Sequence, residues 1–322
     1  MSDIRALADR LRSQISGVVE TNRLLGPLTT YRVGGPARLY VEPASVSDLE
    51  FIGRTLKEPG ASRWPVLSLG RGSNIVISDE GFPGVVIRLG SSFALISERS
   101  DGKDGVVAGG VTPLPMLANW AARRGLAGLE FLIAIPGSVG GAVRMNAGAH
   151  GREVRDALAS VRLFDLDRSS VEVRESATLG FRYRGSDLTD RHIVLDACFS
   201  LDPAEVDVVR ARMESYRKHR AETQPGALQN AGSTFKNPPG DHAGRLVEAA
   251  GLKGFSVGGA SVSTLHANFF MASEGATSQD VYDLVHEVQA RVLDRFNIEL
   301  EPEVRFVGTF RSRSRERGGT IR

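Results

Sequence analysis

Hydrophobic and polar residues alternate in short runs between positions 30 and 200, where β-branched and aromatic residues are separated by glycine-rich loops. The pattern predicts β-strands in ARLYVEP, WPVLSL, NIVIS, GVVIRLG, GVVAGG, SVRLFDL and HIVLDACFSL. Only two helical patterns lie among these strands, at 45–57 and 113–124. So few helices argue against a regular alternation of strand and helix, and we predict an α+β fold with two subdomains that each contain a sheet.

The two predicted helices have recognisable ends. Ser45 and Asp48 have the spacing of a capping box, in which side chains bond to the free backbone N–H groups of the first turn. Thr112 is the predicted N-cap of the second helix, and Gly125 is its predicted stop.

The hydrophobic period changes near residue 203, after which helical patterns dominate. We predict a helix in PAEVDVVRARMESYRKHRAE, a short helix at 243–250, a strand in HANFFMA and a final strand in IELEPEVRFVG. A long helix from 278 to about 296 begins at a capping box of Thr277 and Asp280. Its predicted apolar face consists of Val281, Leu284, Val285, Val288, Val292 and Leu293.

These changes of pattern divide the chain into four segments. Residues 30–201 form a first α+β domain, residues 202–310 a second, and residues 311–322 a disordered basic tail. Residues 1–29 are a lead-in with an N-terminal helix, which is indicated by apolar residues at helical spacing: Ile4, Leu7, Leu11 and Ile15.

Composition limits the class of protein. With 322 residues, of which 41% are hydrophobic and 24% charged, the chain is long enough for two or three cores. Its 40 basic and 38 acidic residues nearly cancel, which argues against a nucleic-acid-binding protein. No run of apolar residues is long enough to span a membrane, and the N-terminus lacks the apolar core of a signal peptide. We therefore expect a cytoplasmic monomer whose partners are small molecules.

The single cysteine, Cys198, excludes an intramolecular disulfide and a cysteine-based zinc site. It lies in the apolar run HIVLDACFSL, and we expect its side chain to be part of the core. His266 has no second metal ligand at a suitable spacing, so no metal site is predicted.

Two glycine-rich loops carry the first candidate chemistry. The stretch at 135–151, IPGSVGGAVRMNAGAHG, is almost bare of large side chains, so its N–H groups can face a concavity that suits phosphate oxygens. The alternative is that these glycines only form tight turns between strands. The loop in LSLGRGSNIVIS, at 67–78, lies between two predicted strands and opens no helix, which excludes both helix-based phosphate motifs. An extended dinucleotide held between the subdomains would fit both loops.

Seven motifs together resemble a known family. TYRVGGPA at 30–37 and the loops at 69–76 and 135–151 resemble the FAD-binding domain of the vanillyl-alcohol-oxidase and p-cresol-methylhydroxylase type. Four later motifs resemble, in family order, the UDP-N-acetylenolpyruvoylglucosamine reductases: FRYRGS at 181–186, NAGSTFKNP at 230–238, LVEAAGLKGFSVGGASVSTLHANFF at 246–270 and LEPEVRFVG at 300–308.

The resemblance implies that residues 30–201 bind FAD and that NADPH supplies a hydride, which reduces an enolpyruvyl ether at its vinyl carbon. The FAD is expected to be noncovalent, because the loops show no counterpart of the histidine or cysteine that attaches the flavin in related oxidases. The implied flavin-binding residues are Tyr31, Gly70, Arg71, Gly72, Ser73, Asn74, Ile75, Pro136, Gly137, Ser138, Gly140, Gly141, Asn146, Gly148, Ala149, Gly151 and Arg305.

Two residues match catalytic positions of the family on predicted loops and strands. Ser233 matches the proton donor; the alternative is an ordinary turn or cap serine. Arg184 matches the residue that binds the substrate carboxylate, and its planar donors suit a carboxylate that becomes an enolate. A strand would place Arg182 and Arg184 on the same face, so the choice between them rests on the resemblance.

Glu303 matches the catalytic glutamate of the family, with Glu301 as its neighbouring alternative. Strand alternation would place both carboxylates on one face with Arg305, and a solvated face of an edge strand is the simpler explanation of these charges. Contact with an arginine would keep a carboxylate ionised, whereas apolar burial would raise its pKa. The residues alone do not decide between these two environments.

The substrate of the family carries a diphosphate, and the matched binding residues are Tyr183, Lys236, Asn237 and Arg220. Arg220 belongs to the basic cluster 217–220, whose alternative role is favourable charge at a helix C-terminus. His266 and Asn268 are expected to support the site rather than react.

The interval between Arg184 and Ser233 is too short for the tyrosine loop that caps the substrate in the longer class of this family, so the chain resembles the shorter class. Two other functions remain open. A flavin oxidase of sugars or alcohols would not need NADPH, and a non-catalytic flavin-binding module would not need Arg184, Ser233 and Glu303.

Overall fold

The computed structural model describes residues 2–226 and 229–311, so the predicted disordered tail lies, from 312 onward, outside the described residues. The helices are α1 (Ser2–Arg12), α2 (Val46–Leu56), α3 (Leu114–Ala122), α4 (Val139–Met145), α5 (Val206–Thr223), α6 (Ala243–Ala249) and α7 (Ser278–Phe296). The strands are β1 (Val18–Leu24), β2 (Pro36–Glu42), β3 (Val66–Ser68), β4 (Ile75–Ile77), β5 (Phe82–Ile87), β6 (Ile96–Glu98), β7 (Gly105–Gly109), β8 (Leu126–Ala127), β9 (Gly148–Ala149), β10 (Arg152–Glu153), β11 (Leu158–Asp165), β12 (Ser170–Glu175), β13 (His192–Ser200), β14 (Asp202–Pro203), β15 (Ser256–Val257), β16 (Ala260–Val262), β17 (Phe270–Ala272) and β18 (Arg305–Val307).

Two sheets organise the N-terminal part of the fold, as the strand pattern predicts. The first has the order β1-β2-β5-β3 and the second the order β12-β11-β13-β7-β6. Strand β1 was not predicted from the pattern, because as an edge strand it buries no residue fully. Leu7 and Leu11 of α1 are buried with Leu49 and Ile52 of α2, which confirms the predicted N-terminal helix and its apolar face.

The ends of the predicted helices are partly confirmed. The Ser45 hydroxyl accepts a hydrogen bond from the Asp48 N–H group at 3.1 Å at the start of α2. In α3, however, Pro113 is the N-cap, and the prediction for Thr112 is wrong. Thr112 lies one residue before the N-cap, and its fully buried hydroxyl donates to the Leu95 carbonyl at 3.5 Å and makes no capping hydrogen bond.

The glycine-rich stretch at 135–151 contains helix α4, which the strand-based interpretation did not predict. Glycines in this stretch do more than form turns, because they let the helix backbone pack closely on a neighbouring segment. A Cβ at Gly140 would lie 3.2 Å from the Gly110 carbonyl oxygen, and the Gly140 N–H group already donates to that oxygen at 2.9 Å. Small residues therefore allow α4 to lie directly against β7 and β13.

The C-terminal unit is built on α7, which packs on the small sheet β15-β16-β17. The capping box of Thr277 and Asp280 is confirmed. Five of the six predicted apolar residues are buried, but Leu293 is 41% exposed because it lies at the margin of the apolar face. The predicted strand in 298–308 is also shorter than expected, since only β18 is a strand. Pro302, which has no N–H group to donate, forms only an isolated bridge with Phe235.

The C-terminal unit is joined to the first sheet-bearing region beside the glycine loop at 67–78. Strand β18 pairs in parallel with β4, with Arg305 opposite Ile75. The Asp79 carboxylate accepts hydrogen bonds from the N–H groups of Ser278 and Gln279 at 2.9 and 3.0 Å, at the first turn of α7. These bonds hold the start of α7 against the segment that follows β4.

Cys198 lies in β13 but is only partly buried, so its assignment to the core is wrong. Alternate residues of β13 face the two sides of the sheet, and Cys198 is on the less covered side. Burial nevertheless raises the pKa of its thiol above the usual value.

Candidate active site

One cavity, of about 1260 Å³ with its open mouth included, lies where both glycine loops meet the C-terminal unit. The three matched catalytic residues, Arg184, Ser233 and Glu303, all line it. So do most residues expected to bind a flavin: Gly70, Arg71, Gly72, Ser73, Asn74, Ile75, Pro136, Gly137, Ser138, Gly141, Gly148, Ala149 and Arg305.

The two glycine loops face each other at close range. A Cβ at Gly70 would lie 2.9 Å from the Ser138 hydroxyl oxygen, and one at Gly137 would lie 3.4 Å from the Ser73 hydroxyl oxygen. Within residues 2–226 and 229–311, the backbone N–H groups of 70–74 donate to no other group. Unpaired N–H groups at a narrow, glycine-lined wall are suited to phosphate oxygens, so the residues present fit the diphosphate of FAD.

Four residues expected to contact the flavin lie outside this lining. Tyr31 is buried in the C-terminal core, and burial raises the pKa of its hydroxyl. Gly140 packs against Gly110 and against Val194 of β13, and Gly151 takes a positive φ of 76° in a turn. Asn146 ends α4 in the left-handed conformation and is fully buried, with its amide directed to neighbouring loops.

Arg184 is held on a turn rather than on a strand, so the predicted alternation with Arg182 is wrong. Arg182 and Gly185 form an isolated bridge, and Arg184 adopts a positive φ of 55°. This geometry separates the two arginines: Arg182 is exposed and pairs with Asp187 at 2.7 Å, whereas Arg184 lines the cavity. The structure thus supplies the distinction that the strand pattern did not.

The Arg184 guanidinium bridges the glycine-rich stretch and the C-terminal unit. Its Nη2 donates to the Gly148 carbonyl oxygen at 3.0 Å, and its Nε lies 3.2 Å from Glu303 Oε1. The Arg184 and Glu303 side chains are 19% and 17% exposed, so this ion pair is largely shielded from water.

The two candidate glutamates have opposite environments. Burial raises the pKa of Glu303 to about 7, although Arg184 and Lys236 act in the opposite direction. Glu301 is instead 70% exposed and pairs with Lys236 Nζ at 2.5 Å. Of the two environments considered from the sequence, apolar burial therefore dominates at Glu303 despite the arginine contact.

Ser233 lies on a segment that is clamped by Asn268. The Asn268 amide accepts from the Phe235 N–H group at 3.0 Å and donates to the Phe235 carbonyl at 2.8 Å. The Thr234 carbonyl accepts from the Glu303 N–H group at 2.8 Å, so the segments of Ser233 and Glu303 run side by side. The Ser233 hydroxyl makes no hydrogen bond within the described residues. Asn268 thus occupies the supporting position expected for it.

The four residues expected to bind substrate are not all brought together. Arg220 lines the cavity and donates to the Ala134 carbonyl, and it has no carboxylate partner among the described residues. Burial lowers the pKa of Arg220. Lys236 is held by Glu301, and Asn237 accepts from the Ala243 N–H group at 3.0 Å, at the start of α6.

Tyr183 is also outside the cavity lining, with its ring centroid 4.8 Å from the Arg184 guanidinium carbon. An exposed ring beside a cation supports the arginine by a cation–π contact. Tyr183 is therefore placed to orient Arg184 from outside.

Asp190 is a central residue of the site that the sequence did not reveal. Its carboxylate accepts from Arg144 Nη1 at 2.6 Å and from Arg305 Nη2 at 2.8 Å, and both arginines line the cavity. Burial alone would raise the pKa of Asp190, but the two arginines outweigh burial and hold it below the usual value. No local pattern marks this residue, because Arg305 is 115 positions away.

Gln224 was also missed. It lines the cavity at the C-terminal end of α5, and its side-chain oxygen is buried without a hydrogen-bond partner. Among the described residues, no three potential ligands are grouped so that they could hold a metal ion. Within the same residues, no helix has the length and apolar character needed to cross a membrane.

Family comparisons agree with this architecture. The model of the family "FAD binding domain" matches residues 37–173. The two sheets and the paired glycine loops therefore define an FAD-dependent oxidoreductase. The model "UDP-N-acetylenolpyruvoylglucosamine reductase, C-terminal domain" matches residues 224–307. The chain belongs to the UDP-N-acetylenolpyruvoylglucosamine reductase family.

Relatives of this family align along nearly the whole chain. UDP-N-acetylenolpyruvoylglucosamine reductase 2 of Symbiobacterium thermophilum is 44% identical over 94% of this chain and 97% of its own. The Bacillus licheniformis reductase is 40% identical over 91% of this chain and 95% of its own. The crystal structure of the Thermus caldophilus reductase superposes with a TM-score of 0.78 at 37% identity, covering 91% of this chain and all of that one. The α+β fold, FAD as the cofactor and the family expected from the motifs are confirmed.

Asp190→Asn is expected to destabilise the fold by about 1–3 kcal/mol at pH 7, because Arg144 and Arg305 would lose the carboxylate that pairs with both of them. The pKa of Asp190 is depressed in the folded state, so its contribution is present above its unfolded value of about 3.9 and disappears as the pH falls below that value. Thermal unfolding at pH 7 and pH 3 measures this. Asp167→Asn, which removes a more exposed partner of Arg191, is the control. An equal loss at both pH values would contradict the expectation.

Proposed function

We propose that this protein reduces the enolpyruvyl ether of UDP-N-acetylglucosamine enolpyruvate to UDP-N-acetylmuramate, with NADPH as the reductant, in peptidoglycan precursor synthesis. The observation that carries the proposal is the grouping of Arg184, Ser233 and Glu303 in the cavity formed by both glycine loops, in a chain of this family. We also propose that the protein acts in the cytoplasm, where its nucleotide substrates are, and that it is a monomer.

The glycine loops at 70–74 and 137–141 would hold FAD through backbone N–H groups, with Arg144 and Arg305 as nearby cations. FAD, when bound, supplies a two-electron carrier between NADPH and the substrate. Neither a cysteine nor a histidine lies in 70–74 or 137–141, which supports noncovalent binding. The open cavity mouth leaves room for NADPH and the sugar nucleotide to bind in turn.

Arg184 binds the substrate carboxylate. Addition of a hydride to the terminal vinyl carbon leaves negative charge on the adjacent carbon and its carboxylate, and a fixed guanidinium stabilises that charge in a site shielded from water. Two anchors already orient Arg184, the Gly148 carbonyl and the Glu303 carboxylate. When the substrate binds, the contact with Gly148 remains, and the substrate carboxylate replaces Glu303 as the partner of the guanidinium.

Ser233 gives its proton to the carbon next to the carboxylate, and the product is a lactyl ether. A serine hydroxyl is a weak acid, so the cost of its ionisation must be lowered by its surroundings. Arg184 lies in the same cavity, and Glu303, with a pKa near 7, can return a proton to the site at neutral pH. Asn268 fixes the backbone that presents Ser233.

Arg220 is proposed to bind the diphosphate, because it is a cavity-lining cation without a carboxylate partner among the described residues. The described residues between Arg184 and Ser233 form β13, β14, α5 and short connections. This arrangement supports membership in the shorter class. Lys236 and Asn237 would contribute to substrate binding only if ligand binding moved them from their present partners.

NADPH consumption that depends on UDP-N-acetylglucosamine enolpyruvate tests the function. We expect a yellow purified protein whose flavin is bleached by NADPH without oxygen and is reoxidised when substrate is added. Rapid oxidation of a sugar or alcohol with oxygen, without use of NADPH, would instead indicate a flavin oxidase. Bound FAD without either reaction would indicate a non-catalytic module.

Ser233→Ala is expected to leave NADPH bleaching of the flavin unchanged and to slow reoxidation by substrate at least ~100-fold, because the proton donor is missing. Stopped-flow absorbance separates the two half-reactions. Ser263→Ala, at a buried serine outside the cavity lining, is the control. Normal reoxidation in Ser233→Ala would refute the assignment of the proton donor.

Glu303→Gln is expected to slow the substrate half-reaction far more than Glu301→Gln and to remove a pH dependence centred near pH 7. Because the pKa of Glu303 is raised in the folded state, its ionisation opposes folding as the pH rises above its unfolded value of about 4.3. Glu303→Gln should therefore be at least as stable as the wild type at pH 8. A larger loss of activity in Glu301→Gln would show that the wrong glutamate was assigned.

A further inference from the structure

The Arg184 guanidinium lies between two carboxylates, of which only one lines the cavity. Glu303 approaches Nε at 3.2 Å from the cavity side. Glu153, in β10, approaches Nη1 at 3.8 Å from outside the lining, and its side chain is as well shielded as that of Glu303, at 17% exposure. The proposed reaction assigns no step to Glu153.

Glu153 is itself held in place by a buried amide. Its Oε2 accepts from Asn146 Nδ2 at 2.9 Å and pairs with Arg155 Nε at 2.8 Å. The same Asn146 Nδ2 donates to the Arg182 carbonyl at 3.1 Å, and Asn146 Oδ1 accepts from the Arg155 N–H group at 3.1 Å. Asn146 therefore ties the Glu153 carboxylate to the turn that carries Arg184.

We propose that Glu153 is a positioning residue for Arg184, which holds the guanidinium from outside the cavity and competes with Glu303 for its charge. The proposal rests on the proposed function, in which Arg184 must bind the substrate carboxylate. The two carboxylates repel each other across the guanidinium, so the negative charge of Glu153 offsets part of the stabilisation that Arg184 gives to the Glu303 carboxylate. Glu153 thus lets Arg184 exchange its contact with Glu303 for one with the substrate, without losing its position.

Loss of the Glu153 charge would change the electrostatic environment of Arg184 and Glu303. Arg184 would then have Glu303 as its only carboxylate partner within the described residues, and no negative charge of Glu153 would oppose that ion pair. The pKa of Glu303 would fall below its value of about 7. The substrate carboxylate would also have to displace a stronger internal contact before it could bind.

Glu153→Gln, which keeps the shape of the side chain, tests this in the FAD-loaded full chain. We expect the KM for UDP-N-acetylglucosamine enolpyruvate to rise about three- to tenfold, and the apparent pKa of the pH profile to fall by about 0.5–1 unit. The KM for NADPH and the rate of flavin bleaching should not change. Asp187→Asn is the matched control, because Asp187 lies just beyond this turn, pairs with Arg182 on it and is 67% exposed.

An unchanged substrate KM and pH profile in Glu153→Gln would overturn the inference, and so would a loss of stability without either change. Glu153→Asp keeps the negative charge but moves it away from Arg184, because the side chain is one methylene shorter. The KM of this variant should therefore lie between those of the wild type and Glu153→Gln. If Glu153→Gln does not fold, a wild-type KM and pH profile in Glu153→Asp would overturn the inference. Failure of the wild type to reduce the substrate would instead refute the proposed function.

Discussion

The parallel pairing of β18 with β4 is the contact on which the site depends. It is only three residues long, yet it joins the last described strand to the strand that follows the first glycine loop. The preceding residues are thereby drawn against that loop, where Asn74 Nδ2 donates to the Glu303 carbonyl at 3.1 Å. Glu303 and Arg305 consequently face a cavity whose other wall is made by a separate part of the chain. The Asp79 cap on α7 strengthens the same junction.

Charge in this cavity is organised by carboxylates that belong to different structural units. Asp190 neutralises part of the charge of Arg144 and Arg305, and Glu303 faces Arg184. The pKa values of Asp190 and Glu303 shift in opposite directions because burial and arginine contacts have different weights at the two carboxylates. Two arginines keep the pKa of Asp190 low, whereas a single close arginine does not overcome the burial of Glu303. One carboxylate is thus fixed as an anion, and the other can exchange a proton near neutral pH.

The sequence predicted elements well where a periodic pattern coincided with burial on one face. The capped helix α7 is an example, and the unpredicted strand β1, which buries no residue fully, is the opposite case. Helix α4 was missed because its two glycines have a low helix propensity, while their lack of a side chain is what lets that helix pack on the sheet. The motifs likewise placed Arg184, Ser233 and Glu303 in one cavity, but not Tyr183, Lys236 and Asn237.

By itself, the sequence determined the α+β class, the two glycine loops, the family and the residue types available for chemistry, because these depend on local spacing and on motif order. Only the tertiary structure separated Arg184 from Arg182 and Glu303 from Glu301, and only it revealed Asp190 and Glu153 as partners of cavity arginines. The physical reason is that backbone turns, burial and charge contacts between distant segments set these differences. The same carboxyl group has one pKa in water and another beside a guanidinium, and only the tertiary structure decides which of these environments it has.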